Sequence, residues 1–519
     1  MKKLFTFMML LASSLVATAA ESTSYPGMLA VVINGNVVQP TPNQIVLNKE
    51  DDGKYELQLK NFILVQEGQP MPVGNIVLKG IEAVEEDGKI VLESKQDITI
   101  EAGDLPDIPM WMGPMLDPVP VEVKAIVNGD VLTADIAVPL ANQDVKVVFD
   151  SRTFQLLNAG FEEFHTAKAG NATSDEPNNW HSFMSCTGSL AFMVSSVKHT
   201  FISDDIRPGS AGSKSVLVKS GTVSMLGGLI KVTANGTLTT GQLKAGGMSA
   251  TSTDNNAFID FTNEKRDENG DPFYMVLNTL PDSISAWVKF KQEKAVPAHP
   301  YATMSAVITD GSYYQEPTDK DYSGIIVGEA RCNTIENTGE WQKITVPFVY
   351  TDGAKSPKGI LVTFSTNADP GEGTDNDELY IDDVELIYNA HLTDLTVDGK
   401  TLTDFASDKY EYTFAKEMEM TTDELVDMTG YETASQEAKV IVFAEDNTIA
   451  ITVLSADLLS NRTYTINFSG NNGVTNIVSS DKAGKTVYNL GGQKVNSAKK
   501  GGIYVTKYSN GKTVKSILR

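Results

Sequence analysis

The stretch LYIDDVELIY, residues 379 to 388, reads as a buried β-strand with two acids set into it. Side chains alternate faces along a strand. Tyr380, Asp382, Val384, Leu386 and Tyr388 are therefore expected on one face, and four of those five are apolar or aromatic. That face is predicted to be core, with Asp382 intruding on it and Asp383 beside it. An unpaired buried carboxylate costs several kcal/mol, so a cation is expected close by.

The rest of the chain speaks the same language. Nearly every periodic segment alternates at period two, helical spacing is scarce, and Asn-Gly and Asp-Gly pairs punctuate the runs. The pattern predicts an all-β protein, and 519 residues suggest three or four domains. The N-terminus, MKKLFTFMMLLASSLVATAA, has a charged start, an apolar run from Leu4 to Val16 and a small-residue site at Ala17-Thr18-Ala19. It reads as a secretory signal peptide over residues 1–20. No later apolar stretch of about 20 residues predicts a membrane span.

The formal net charge is -25, or -25 - 2 = -27 without Lys2 and Lys3. So acidic a surface argues against nucleic acid and anionic membranes as partners. The two cysteines, Cys186 and Cys332, are disulfide candidates in an exported chain. A bridge between them would contribute roughly 5 kcal/mol on the chain-entropy model. Spacing alone does not say whether they meet.

Residues 26–150 hold evenly spaced strands, among them "KYELQLKNFIL", "GNIVLKGIEAV" and "VEVKAIVNGDVLTADIAVPL", where Asn128-Gly129 marks a tight hairpin. The pattern "GMLAVVINGN…DDGKYELQLKNFIL…MPVGNIVLKGI" resembles the calycin-like domain of exported proteins, which implies an up-and-down β-barrel. Such a barrel either holds an apolar ligand or fills itself with side chains; the filled reading is preferred, with Trp111 of the insert at 105–120 near its mouth. Residues 152–389 run from "LLNAGFEEF" through "SISAWVKFK", "EWQKITVPFVY" and "KGILVTFST" to the opening strand. This block resembles the "putative carbohydrate metabolism domain", a jelly-roll β-sandwich. Residues 390–468 resemble a small immunoglobulin-like or cadherin-like β-sandwich. Residues 474–519 carry nine Lys/Arg against one acid, Asp481. Their "GGIYVTKYSNGKTVKSIL" resembles the C-terminal sorting domain of type IX secretion substrates, which implies contact with secretion machinery. Alternatively the tail is a basic β-module on the acidic body. Four β modules in series are thus expected.

The jelly-roll resemblance supplies a partner for Asp382. In many carbohydrate-binding jelly rolls an opening N-x-G-F-E and a closing D-D-V-x-L share a structural calcium, an ion that takes six to eight oxygens. Carried onto this sequence, the ligands are Glu162, Asp382 and Asp383, with Asn158 adding a carbonyl or amide. The competing reading is that Asp382 caps a turn or pairs with an Arg or Lys.

Sugar-binding candidates come from aromatic residues with polar neighbours. Trp287 lies opposite the apolar face of "SISAWVKFK", unless a loop covers it. Trp180 and His181 follow Pro177-Asn178-Asn179 and could line the same groove or plug the sandwich edge. Tyr313, Tyr314 and Tyr322 belong to an aromatic, polar loop, and Trp341 is expected in the core. The histidines, at 165, 181, 199, 299 and 391, lack metal-ligand spacing. "DENGD" (267–271) is oxygen-rich, but its Gly is misplaced for an EF-hand, so a solvated turn is predicted. No GxSxG, HExxH, phosphate loop or dinucleotide fingerprint occurs.

The expectation is an exported, non-catalytic protein of the cell surface, secreted or alternatively periplasmic, that binds glycan or polysaccharide. A glycoside hydrolase built on the jelly roll and a purely structural surface component are the alternatives.

Overall fold

The computed structural model describes residues 21–470, apart from 67, 117, 141–142, 226–227, 354 and 417–419, and the backbone of four short strands between 485 and 517. The leader expected at 1–20 and the rest of the tail expected at 474–519 lie outside the described residues. The chain forms two compact units, Met1–Tyr412 with Thr422–Ile466, and Thr413–Thr421 with Asn467–Arg519. Among the described residues, no helix is long and apolar enough to cross a membrane.

Eight strands open the first unit: β1 (Glu21–Ile33), β2 (Asn36–Lys49), β3 (Tyr55–Gln66), β4 (Gln69–Glu86), β5 (Lys89–Ile98), β6 (Val119–Asn128), β7 (Val131–Leu140) and β8 (Gln143–Asp150). They close an antiparallel barrel, with β8 returning to pair with β1. Along β6, Val119, Val121, Val123, Ala125 and Val127 all point inward, as period two requires. The β6–β7 turn is Gly129-Asp130, with Gly129 in the left-handed region, one residue later than the sequence suggested. The interior is packed with side chains, including Leu29, Ile45, Leu57, Leu78, Leu92 and Phe149. Trp111 is buried against Gly103, where a Cβ would come within 2.4 Å of the indole.

A β-sandwich follows. One sheet has five strands in the order Thr200–Ser203, Ser215–Lys219, Glu378–Ile387, Ser283–Lys291, Gln342–Pro347. The other runs Thr237–Thr239, Gly359–Ser365, Ala302–Thr309, Ile326–Ile335, Val349–Tyr350, with Met275–Val276 pairing the second of these. Between them lies one apolar core, in which Val216, Ile284, Val288, Phe290, Leu379 and Ile381 face Leu238, Met304, Ile308, Ile360, Val362 and Phe364. A three-stranded sheet, Gln242–Ala245, Asn255–Ile259 and Tyr314–Glu316, covers part of the six-stranded sheet's outer face. Leu243, Ile259, Val307, Tyr314 and Leu361 fill the space beneath it.

Strict alternation fails in the strand that carries Asp382. Trp287 pairs with Asp382 and Ser285 with Glu385, so Ala286 alone opposes both Asp383 and Val384. This is a β-bulge, and Asp383 takes the left-handed conformation it needs, at φ 43°. Before the bulge Leu379 and Ile381 are in the core; after it Val384, Leu386 and Tyr388 are. Tyr380 and Asp382 consequently leave the predicted core face and lie on the sheet's other side, although Asp382 is fully buried there. The segment opening the block lies along this strand. Val384 N donates to Ala159 O at 2.9 Å, and Gln155 both accepts from Leu386 N and donates to Leu386 O.

Beyond the sandwich, strands Leu392–Val397, Lys400–Thr401 and Thr429–Thr433 form one sheet, and Lys439–Glu445 pairs with Thr448–Leu454. These later elements fold back on the barrel rather than trailing behind it. Leu454 and Leu458 pack on Ala30, Val32 and Val148, which point out from β1 and β8. Thr452 Oγ1 donates to Gly35 O at 2.6 Å. Arg152 ties the seam further, contacting Asp150 and Glu437 at 2.8 Å each. In the second unit, Lys485–Asn489, Lys494–Val495, Ile503–Tyr508 and Thr513–Ile517 form a four-stranded antiparallel sheet.

Cys186 and Cys332 are free thiols. Cys332 packs against the sandwich core and Cys186 against the smaller cluster under the three-stranded sheet, so no bridge joins them. Burial pushes the Cys186 thiol up to about 12, which keeps it protonated and unreactive.

Candidate functional site

The cation beside Asp382 is Arg207, which pairs with the neighbouring Asp383. Its backbone N–H approaches Asp382 Oδ2 at 3.3 Å, and its guanidinium binds Asp383 Oδ2 at 2.6 Å. Burial pushes the Asp382 carboxyl up to about 6; the Arg207 N–H pulls the other way and the Asp383 charge adds to the rise. Of the proposed calcium ligands, Glu162 is held separately. It accepts from Ser213 N at 2.7 Å, Ser213 Oγ at 2.9 Å and Lys214 N at 3.0 Å. Burial raises its carboxyl, but those donors and the Lys214 charge outweigh burial and hold it below the ordinary value. Asn158 spends its amide on Glu163 and Asn178, shaping a turn with φ of 47°. Glu162, Asp382 and Asp383 thus stand near the same bulge, each with partners of its own.

The predicted aromatic residues scatter. Trp287 is half-buried on the outer face of the five-stranded sheet, and the Arg207 guanidinium lies 5.4 Å from its ring centroid. Trp341 joins that face instead of the core: its indole N–H donates to Asp205 at 3.0 Å, and Lys289 lies between its ring and that of Tyr380. Trp180 is wholly buried in the sandwich, donating to Leu157 O and packing on Phe161 and Phe364. It cannot line a surface groove. His181 is also fully buried, against Phe273 and Asp267. Tyr314 and Tyr322 are buried edge to face, bonded to Glu316 and Asp319. Only Tyr313 of the trio reaches solvent, stacked on Phe258.

The concave site lies elsewhere. Where the three-stranded sheet stops short, the outer face of the six-stranded sheet floors a groove of about 440 Å³. Outward positions of the strands supply Thr303, Ser305, Arg331, Asn333, Thr363 and Ser365, while Leu190, Met193, Val232 and Met248 rise from loops, a short helix and a hairpin as apolar walls. At the floor Glu316 accepts from Tyr314 at 2.7 Å, Ser305 at 2.7 Å and Arg331 at 2.5 Å. Arg331 also reaches Glu329 at 2.9 Å. Burial raises the Tyr314 phenol, and the Glu316 charge adds to the rise, keeping it a donor. The sequence carried one signal for this floor: in "IVGEARCNTI" Arg331 and Asn333 are the polar alternates of a strand. What covers a strand's polar face, or leaves it open, is set by elements far away in the chain.

Comparison with known proteins adds a family for the N-terminal part. Residues 22–151 match the calycin-like beta-barrel domain. The closed eight-stranded barrel β1–β8 is therefore a calycin-like barrel. No curated protein matches the chain. Among solved structures, a "putative glycoside hydrolase" from Bacteroides thetaiotaomicron is 15% identical, with TM-score 0.32, covering 73% of this chain and 100% of its own. A second "putative glycoside hydrolase", from Bacteroides vulgatus, is 15% identical with TM-score 0.29, covering 44% of this chain and 96% of its own. A "putative outer membrane protein" from Bacteroides fragilis is 11% identical with TM-score 0.18, covering 67% of this chain and 97% of its own. Superpositions this loose carry no functional argument.

Proposed function

We propose that the chain is an exported, non-catalytic glycan-binding protein of the cell envelope, and that the groove over the six-stranded sheet is its binding surface. The observation that carries this reading is the groove's composition. Its volume of about 440 Å³ suits a small ligand. Its floor of Ser, Thr, Asn and Arg offers partners for hydroxyls, and its Leu, Met and Val walls offer contact for the C–H faces of a sugar ring. Binding is favoured over hydrolysis because glycosidases use two carboxylates flanking the bond. Among the described residues lining the groove, Glu316 is the one acid, and three donors hold it. The leader read at 1–20 and the sorting-type tail at 474–519 support export to the cell surface or medium, with the periplasm as runner-up. Calcium at Asn158, Glu162, Asp382 and Asp383 is a separate proposal, in which the ion competes with Arg207 for the carboxylates; a melting temperature lowered by chelator and restored by calcium alone would decide for it.

The test is a glycan array on the full mature chain, followed by calorimetry on the hits. Arg331→Ala and Asn333→Ala should each weaken binding tenfold or more, because each removes a donor from a desolvated contact. Trp287→Ala should leave it unchanged. Release of reducing ends from a polysaccharide would instead establish a hydrolase, and silence across the array would leave the structural component as the better reading.

A further inference from the structure

The best-formed unassigned cluster lies in the sandwich domain and shares no residue with the groove. Strands Phe164–Ala169 and Ala172–Pro177 form a hairpin in which His165 and Glu176 are directly paired. His181 follows, fixed by two backbone bonds with Thr239 at 2.8 and 2.9 Å. The turn 267–271, read from the sequence as solvated, delivers Asp267 between the two imidazoles. Asp267 Oδ2 lies 3.4 Å from His165 Nε2 and 3.4 Å from His181 Nε2, and Glu176 Oε2 lies 3.9 Å from His165 Nε2. The His181, Glu176 and Asp267 side chains are completely buried and that of His165 is 9% exposed.

None of these converging atoms has a hydrogen-bond partner. His165 Nε2, both ring nitrogens of His181, Glu176 Oε2 and Asp267 Oδ2 are all orphaned. Buried polar groups are almost always paired, and each orphan costs about 1–3 kcal/mol. The far sides of His165, Glu176 and Asp267, by contrast, are held, whereas His181 Nδ1 has no partner. His165 Nδ1 faces Asn178 Oδ1 at 3.2 Å, so with its proton there the ring directs a lone pair from Nε2 into the cluster. Glu176 Oε1 accepts from Ser182 N at 2.7 Å, from Ser182 Oγ and from Ser185 Oγ at 3.2 Å. Asp267 Oδ1 accepts from Asn269 N at 2.9 Å and Asp271 N at 2.8 Å. Carboxylates and an imidazole braced from behind, with their inward atoms unpaired, are the arrangement expected around a cation.

We propose that His165, Asp267 and Asp271, whose ligand atoms lie within 4.8 Å of one another, bind a divalent transition-metal ion with His181 joining from beside Asp267, zinc being the best match. Bonds of about 2.0–2.1 Å in a tetrahedron set ligand atoms about 3.3–3.4 Å apart, and both His–Asp separations have that length. Two imidazoles select zinc or a neighbouring transition ion over calcium and magnesium, which prefer all-oxygen shells. The fourth ligand is His181 Nε2, 3.4 Å from Asp267 Oδ2, and Glu176 Oε2 stands 3.9 Å from His165 Nε2 on the other side. The Asp267 and Asp271 carboxylates cancel the ion's charge, which a buried site requires. With the His165, His181 and Asp267 side chains buried and Asp271 half-buried, the ion pins the hairpin to the 267–271 turn as a structural clamp.

The full mature chain, stripped with chelator and dialysed, should bind one equivalent of zinc ion by calorimetry and melt several degrees higher with it. Asp267→Asn and His181→Ala should abolish that equivalent, whereas His299→Ala, at an exposed His–Asp pair on the surface, should retain it. Because either cluster variant could fail to fold, X-ray absorption of the zinc form of the unmutated chain is the second measurement. Two imidazoles with oxygen neighbours would support the site. No stoichiometric zinc, zinc retained in Asp267→Asn, or a shell without imidazole would each overturn it.

Discussion

Two clusters in the sandwich bury carboxylates, and they solve the problem differently. Beside the bulge at 382–383, Arg207 places a guanidinium on Asp383 and a backbone N–H on Asp382, so a cation from within the chain stands beside the pair although Asp382 Oδ1 keeps no partner. Around Asp267, two imidazoles and a second carboxylate converge with no lysine or arginine among them, and their inward atoms stay unpaired. A buried charge requires compensation in both places. A chain that provides the cation needs only a folded state, whereas one that provides only ligands needs an ion from outside. That contrast is open to attack at both ends.

The largest effect is expected from Arg207→Met, which leaves Asp383 without its cation beside the buried Asp382. With the guanidinium partly exposed, a loss of about 2 kcal/mol is expected in urea unfolding. A loss near zero would mean that something else neutralises the pair. Next comes pH. The folded-state value of Asp382 lies above its ordinary 3.8, at about 6, so the native state holds this proton more tightly than the unfolded chain. The contribution to stability is fully present below pH 3.8 and is lost as pH rises through about 6. The fall is at most about 2 kcal/mol, after discounting for partial solvation. Asp382→Asn should flatten that slope, and an unchanged slope would place the titrating group elsewhere.

Add-back of ions to the chelator-treated chain sharpens the contrast further. Zinc should raise the melting temperature by several degrees and calcium should not. A rise with calcium alone would transfer the ion to Asn158, Glu162, Asp382 and Asp383. The smallest effect belongs to Trp287→Ala, which removes one cation–π contact on a half-open face and should cost about 0.5–1 kcal/mol. A cost above about 3 kcal/mol would show that Trp287 is part of the core packing.

How far the sequence could be read depended on the range of the forces involved. Along β6 the alternation is undisturbed, and every inward residue was legible from period two. In LYIDDVELIY the same rule misassigned Tyr380 and Asp382, because one extra residue in the bulge reverses the faces behind it. That bulge is held by Ala159, over two hundred residues away in sequence. Trp180 looked like a surface aromatic because it follows a polar Asn-Asn pair, yet Phe161 and Phe364 enclose it. The "DENGD" turn looked solvated because it is rich in acids, yet Asp267 turns inward to meet histidines about 100 and 86 residues distant.

By itself the sequence determined the class: strands throughout, a first module that closes into a barrel and an acidic composition. Those follow from side-chain periodicity and composition, which act over a few residues. Tertiary structure alone decided which charges meet. Arg207 reached Asp383, His165 and His181 reached Asp267, and Arg331 reached Glu316 because two sheets stacked face to face bring separate strands together. Electrostatic compensation is judged over a few ångströms of space, and no spacing along the chain records that distance.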